Sequence, residues 1–277
     1  MKYVELASGE KVPALGLGTW KMGVGASDEA AQLRALMVGI GQGMTLIDTA
    51  EMYGDGRSEQ LVAKAIEGQR HRVFVVSKVL PGNASRKGTV KACEASLKNL
   101  KADFLDLYLL HWRGSFPLAE TFAAFEDLKA AGKIRHYGVS NFDVDDMDEL
   151  AERVPNASCA ANQVQYNLSD RGIEFDLYPR CQKDRVAVMA YSPLGQGRLI
   201  DTPGIASIAK KHNVTNSAIA LAFTLRLPGM ISIPKSSNEK RVLENAAAAD
   251  LVLDEEDLAK LDEIFPPPRK KRPLAMS

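Results

Sequence analysis

Short apolar runs and helix-period segments alternate along almost the whole of this chain, and that alternation restricts its fold more than any other feature. Apolar runs rich in Val, Ile, Leu and Phe occupy 14–19, 45–50, 73–78, 105–111, 137–140, 161–165, 187–192 and 230–235. Between them apolar residues recur every three or four positions, at 28–42, 58–67, 86–100, 118–131, 144–153 and 173–183, then at 203–211 with 216–226, and at 239–248 with 255–264. In 28–42, for example, Leu33, Leu36, Met37 and Ile40 share one helical face, and Gly41 and Gly43 close the segment. Eight strands with helices between them favour a closed α/β structure, a (β/α)8 or TIM barrel, over an open sheet. Simple alternation needs one helix per gap, so two helices are extra: one between the seventh and eighth strands and one after the eighth. The last helix is introduced by Asp254 as an N-cap. Residues 3–12, two short alternating runs around Ser8 and Gly9, predict a β-hairpin capping one end of the barrel. A barrel of roughly 250 residues is one domain. The 277 residues are therefore read as a single domain, 1–277, with an extended Pro-rich tail at 265–277.

Charge and cysteine content exclude several classes. Lysines plus arginines equal aspartates plus glutamates at 35 each. No net field then favours a nucleic acid or an acidic membrane as partner. The concentrated charge at Arg269, Lys270, Lys271 and Arg272 lies in the tail and reads as a solvated terminus. No apolar stretch reaches the roughly 18 residues that a bilayer requires, and residues 1–11 lack the apolar core of a signal peptide. A cytoplasmic protein is expected, and nothing in the sequence requires more than a monomer. Cys93, Cys159 and Cys181 are too few and too scattered for a disulfide framework or a zinc site, so they are expected as buried fillers, with no metal.

Asp48, Tyr53, Lys78 and His111 each stand at or just beyond the downstream end of an apolar run. Barrels of this class gather their chemistry at the carboxyl ends of the strands, so the four can meet in one pocket. A phenol is a weak acid with an ordinary pKa of about 10, and a nearby ammonium lowers that value. Lys78 can supply the ammonium and Asp48 the carboxylate that keeps it charged, which makes Tyr53 a candidate general acid. His111 can donate from a ring nitrogen to a carbonyl oxygen and stabilise the charge that develops there. Taken singly, each residue has an ordinary structural explanation; together they form the apparatus of a carbonyl reductase. No side chain can give hydride, so a cofactor must supply it.

A second cluster, Ile-Pro-Lys-Ser-Ser-Asn-Glu-Lys-Arg at 233–241, sets Lys235 at a strand end, Ser236 and Ser237 at a helix start, and Arg241 one turn in. Helix N-termini and arginine both favour phosphate, so this cluster reads as a monophosphate site. By contrast, Gly39, Gly41 and Gly43 look like the start of a dinucleotide fingerprint but end a helix, whereas the fingerprint must open one.

With these residues in place the chain resembles the aldo-keto reductase superfamily from residue 16 to about 245. The resemblance rests on Gly-Leu-Gly-Thr-Trp at 16–20, Leu-Ile-Asp-Thr-Ala-Glu-Met-Tyr at 46–53, Val-Ser-Lys at 76–78, and Leu-Asp-Leu-Tyr-Leu-Leu-His-Trp at 105–112. It continues through Gly-Lys-Ile-Arg at 132–135, Gly-Val-Ser-Asn-Phe at 138–142, Asn-Gln at 162–163, Tyr-Ser-Pro-Leu-Gly at 191–195, and the phosphate segment. It is most similar to bacterial reductases of small aldehydes and α-dicarbonyls, the methylglyoxal reductase type, through segments 51–59, 171–178 and 194–199.

The resemblance implies a barrel that binds extended NADPH, with Asp48, Tyr53, Lys78 and His111 as catalytic tetrad and Tyr53 as proton donor. It places Ser140, Asn141 and Gln163 on the nicotinamide carboxamide, the Tyr191 ring against the nicotinamide, and Thr19 and Trp20, with Asp48, beside the cofactor. Ser192, Leu194 and Gly195 would follow the pyrophosphate. Lys235, Ser236, Ser237 and Arg241 would take the 2'-phosphate, and Glu244 with Asn245 the adenine. Trp20, Met22, Met52, Trp112 and Phe116 would form an apolar substrate wall. Two departures stand out: the loop after Tyr53 is longer than the Tyr-x-Asn-Glu form of many members, and 194–201 is too short for the strap some relatives fold over the pyrophosphate. The alternative on the same fold is an NADPH-holding redox sensor. A phosphate-binding isomerase would leave Tyr191, Ser140, Asn141 and Gln163 unexplained.

Overall fold

The computed structural model describes residues 1–24, 28–199 and 202–276. Strands β1 (Tyr3–Glu5) and β2 (Lys11–Pro13) pair antiparallel, Val4 opposite Val12, as the hairpin read from 3–12. The barrel strands follow in chain order: β3 (Leu17–Gly18), β4 (Leu46–Asp48), β5 (Phe74–Val79), β6 (Leu105–Leu110), β7 (Ile134–Ser140), β8 (Cys159–Gln165), β9 (Ala187–Tyr191) and β10 (Met230–Ser232). Each pairs in parallel with the next. The first and last strands meet as well. Ser232 N–H donates to Ala14 O at 2.7 Å, Gly16 N–H to Ser232 O at 2.8 Å and Gly18 N–H to Pro234 O at 3.0 Å, which closes the eight-stranded sheet into a barrel.

Helices α1 (Glu29–Gly41), α2 (Arg57–Ala65), α3 (Arg86–Leu100), α4 (Leu118–Ala130), α5 (Val144–Arg153) and α6 (Leu177–Lys183) return the chain between successive strands. α7 (Pro203–His212) and α8 (Asn216–Thr224) lie between β9 and β10; α9 (Glu239–Ala246) and α10 (Glu255–Ile264) follow β10. The two extra helices are α7 and α10, which pack on each other: Lys211 donates to Asp254 at 2.6 Å and to Asp257 at 2.9 Å, and His212 Nε2 lies 2.6 Å from Asp257. Asp254 caps α10 as expected, with Asp257 reciprocating.

Several readings change. The single helix expected over 173–183 is a 3-10 turn (Gly172–Glu174) followed by α6, because the Asp176 carboxylate accepts the Leu177 N–H and restarts the helix. In an unbroken helix Pro179 would sit in the interior and clash; in α6 it lies in the first turn, where no N–H is needed. The strand expected to run to residue 192 stops at Tyr191 because Ser192 adopts φ 48. The one expected to reach residue 235 ends at Ser232, which frees 233–235 for the cavity described below. Gly39 lies inside α1, where a Cβ would meet the Leu17 methyls at 2.7 Å, so that glycine serves the packing of α1 on β3.

All six residues of β5 and all six of β6 are buried. On the outer face of β6 and β7 the rings of Tyr108 and Tyr137 pack against Phe122 and Phe125 of α4, mostly edge to face. Burying one such ring stabilises the fold by about 1.5–3 kcal/mol, and this rigidity fixes the strand ends that carry the polar residues. Cys93 and Cys181 are buried and Cys159 is half-buried; burial pushes all three thiols up to about 12.

Candidate active site

The carboxyl ends of the eight strands surround one cavity of about 710 Å³. Asp48 closes β4, Lys78 is the penultimate residue of β5, and His111 follows β6 at once. Tyr53 is carried in by the loop between β4 and α2. That loop turns sharply, with Gly54 at φ 60, Asp55 at φ 53 and Gly56 at φ 83, and a Cβ at Gly56 would lie 2.4 Å from Asn99 Nδ2. The glycines of the lengthened loop are thus required by its backbone.

Lys78 is fully buried; its Nζ lies 2.9 Å from the Asp48 carboxylate, 2.8 Å from Thr49 O and 3.3 Å from the Tyr53 hydroxyl. Gln163 Nε2 donates to Asp48 Oδ1 at 2.7 Å from the other side. Burial acts to lower the Lys78 pKa, but the Asp48 carboxylate and then Tyr53 outweigh it, so the group lies above its ordinary value and stays an ammonium. For Tyr53 the balance differs from the sequence expectation. Burial raises its pKa more than Lys78 lowers it, so the phenol lies above its ordinary value and is fully protonated at neutral pH. Lys78 limits how weak an acid it becomes.

The His111 ring meets Tyr53 edge-on at 5.9 Å. Burial and then Lys78 push its pKa down to about 2, so the ring is neutral. Nδ1 is enclosed and unpartnered, and the ring lines the cavity.

Beside these groups Tyr191 OH donates to Asn141 Oδ1 at 2.9 Å, Asn141 Nδ2 to His111 O at 3.1 Å, and Ser140 Oγ to Gln163 O at 2.9 Å. Lys21, Asn141, Ser192 and Gln196 all line the cavity in left-handed backbone. Such conformations cost about 1–3 kcal/mol each and gather at ligand sites. At the far end stand Lys235, Ser236, Ser237 and Arg241, with Lys235 Nζ donating to Ser237 Oγ at 2.9 Å. Burial and the nearby Lys21 lower the Lys235 pKa: this end of the cavity is short of negative charge.

The aldo/keto reductase family model matches residues 14–265. The chain belongs to the aldo/keto reductase family. It is 47% identical to methylglyoxal reductase YeaE of Escherichia coli over 99% of both chains, and 36% identical to a glyoxal reductase of Bacillus subtilis over 94% of this chain and 92% of that one. A crystal structure of an aldo/keto reductase from Klebsiella pneumoniae in complex with NADP and acetate superimposes with a TM-score of 0.97 at 48% identity, covering 100% of this chain and 99% of that one.

Against this aldo/keto reductase cavity the residues named from sequence divide. Trp20, Asp48, Met52, Tyr53, His111, Trp112, Ser140, Asn141, Gln163, Tyr191, Ser192, Leu194, Lys235, Ser236, Ser237, Arg241 and Asn245 line it. Lys78 and Thr19 lie beneath its wall, Thr19 Oγ1 donating to Asp48 O at 2.9 Å. Met22 does not reach it: Lys21 at φ 61 turns the chain, Met22 N–H donates to Thr19 O at 2.9 Å, and the side chain is buried in the core. Phe116 packs against the core outside the cavity, Gly195 turns the chain at φ 55 beside Leu199, and Glu244 sits half-buried on α9 while Asn245 faces inward. Of the loop 194–201, residues 200 and 201 lie outside the described residues, as does Ser277 of the tail.

The sequence reading missed Lys21, whose neighbour Trp20 could have pointed to it, and Met276, which lines the cavity from the far end of the tail with no local signal. It also missed Glu51 as a support for the Tyr53 loop: its carboxylate accepts from Leu80 N–H at 2.5 Å and from Asn83 Nδ2 at 3.1 Å.

Proposed function

We propose that this chain reduces small aldehydes and α-dicarbonyls of the methylglyoxal kind to alcohols with NADPH. The observation that carries the reading is the fully buried Lys78 ammonium, held by Asp48, facing the Tyr53 hydroxyl beside a neutral His111.

The residues fit the cofactor. The cavity runs from Tyr53 past Tyr191, Ser192 and Leu194 to Lys235 and Arg241, and the charge-deficient far end suits a 2'-phosphate. Ser140, Asn141 and Gln163 offer amide and hydroxyl groups where a carboxamide would bind, and the Tyr191 ring supplies a flat face. NADPH, when bound, supplies the hydride.

The chain does the rest. A His111 ring N–H orients the substrate oxygen and stabilises the charge that grows on it. The Tyr53 hydroxyl transfers its proton to that oxygen, and the Lys78 ammonium at 3.3 Å stabilises the phenolate left behind. Asp48 keeps Lys78 charged throughout. Trp20, Met52 and Trp112 give the substrate an apolar wall and exclude water from one side.

Tyr53→Phe tests the assignment. It should lower kcat by about 10²–10⁴-fold while NADPH binding, followed by fluorescence titration, is retained. Turnover at the unaltered rate would refute the role of Tyr53.

A further inference from the structure

Arg113 is a heavily bonded cation beside the cavity, and the chemistry above does not use it. Its guanidinium forms a two-point ion pair with Glu149 on α5, Nε to Oε2 at 2.9 Å and Nη2 to Oε1 at 2.9 Å. The remaining nitrogen, Nη1, donates to Phe116 O at 3.0 Å and to Gly114 O. One side chain thus joins α5 to the loop that runs from His111 to the start of α4.

Phe116 packs this loop's far end against the core, but main-chain bonding does not hold it. Among the described residues, the backbone of 112–116 takes part in no main-chain hydrogen bond, while His111 N–H just before it is anchored to Val79 O at 3.0 Å. On its other side Gly114 lies close on Pro81, where a Cβ would come within 2.5 Å of the proline Cβ. The loop is therefore wedged between Pro81 and the Arg113–Glu149 pair. Its first residue, Trp112, lines the cavity and rests on the His111 ring at 4.9 Å. The planar guanidinium is suited to this task because it can face a carboxylate and two carbonyls at once, which a lysine cannot.

We propose that Arg113 and Glu149 are positioning residues that clamp the 112–116 loop, hold Trp112 against the reacting centre, and so set the size of carbonyl compound the cavity accepts. The proposal rests on the reductase reading for its substrate consequence, but its structural half does not. With the clamp closed, the wall at Trp112 is fixed and favours compact aldehydes. With it open, the wall yields, compact substrates lose their support and bulkier ones gain room. Arg113 and Glu149 are 25% and 36% exposed, so breaking the pair should leave the fold intact.

The chain contains two tryptophans, Trp20 and Trp112. In a Trp20→Phe background Trp112 is the sole indole, and acrylamide quenching of its emission reports the loop directly. Glu149→Ala and Arg113→Lys should each raise that quenching constant about twofold or more. In the chain with both tryptophans, the same substitutions should raise KM for two- and three-carbon aldehydes about fivefold, as expected for loss of an interaction worth a fraction of a tenfold step. kcat should stay within about twofold, so that the preference for small over aromatic aldehydes falls. The charge reversal Arg113→Glu with Glu149→Arg should recover part of both effects. Unchanged quenching in the single variants would overturn the clamp. An equal loss of kcat for every aldehyde size, with no change in preference, would overturn its role in specificity. If no carbonyl compound were reduced at all, the reductase reading would fail while the quenching experiment still decided the clamp.

Discussion

Asp48→Asn removes one negative charge from behind Lys78 while nearly preserving the shape of the side chain. The pair is 0% and 4% exposed, so the loss is not masked by solvent. Removing one partner of a buried ion pair costs about 3–5 kcal/mol because the other charge is left uncompensated. Here the ammonium keeps Thr49 O at 2.8 Å and Tyr53 OH at 3.3 Å, and the amide can still accept from Gln163, so the lower end, about 3 kcal/mol, is expected.

The deficit should depend on pH. In the natural chain the folded Lys78 lies above its ordinary value, so its contribution is fully present below the unfolded pKa and is lost only as pH rises through the higher folded one. Between pH 6 and 9 that contribution is flat. Burial is the largest single influence on Lys78 and Asp48 its main counterweight, so in the variant the folded pKa is expected to fall below the unfolded one. The folded variant then binds fewer protons than the unfolded chain over the interval between the two values, and its stability rises with pH there. Urea unfolding of both proteins at pH 6, 7.5 and 9 measures this: a gap of about 3 kcal/mol at pH 6 should narrow toward pH 9. A gap under about 1 kcal/mol, in the range of an exposed ion pair, or one that stays constant with pH, would refute the reasoning.

His111 gives an acid-side counterpart: its folded pKa is pushed down to about 2, so the unfolded chain binds the extra proton as pH falls below about 6.5. His111 should therefore cost about 2 kcal/mol of stability between pH 6.5 and 5, and His111→Asn should remove that part of the slope in parallel urea titrations; identical slopes would contradict a buried neutral ring. Replacing Lys235 and Arg241 together by Ala should reduce the NADPH over NADH preference by about a hundredfold, from two charge-assisted contacts of about 1.5–3 kcal/mol each with partial compensation. Comparison of KM for the two cofactors checks this, and an unaltered preference would remove the phosphate assignment.

Much of the architecture was legible because it is written in local periodicity. Helices α3, α5 and α10 have the bounds that spacing indicates, and Asp48, Lys78 and His111 share one rim because each stands at or near the downstream end of an apolar run, which in a barrel means the same side. The break at Asp176 was hidden because the apolar spacing continues across it, although Pro179 was a usable warning. Met22 was misplaced because spacing says nothing of the left-handed turn at Lys21 that sends it inward.

By itself the sequence determined the strand and helix alternation, the identity of the polar residues at the strand ends, and the cationic segment after β10, since these follow from residue type and short-range order. Tertiary structure alone decided that Tyr53 is held protonated, that His111 is neutral, that Arg113 grips the Trp112 loop, and that Met276 reaches a cavity built around Asp48. The physical reason is common to all four: ionisation and reach depend on burial and on partners far away in the chain, and both come into being only when β3 meets β10 and the barrel closes.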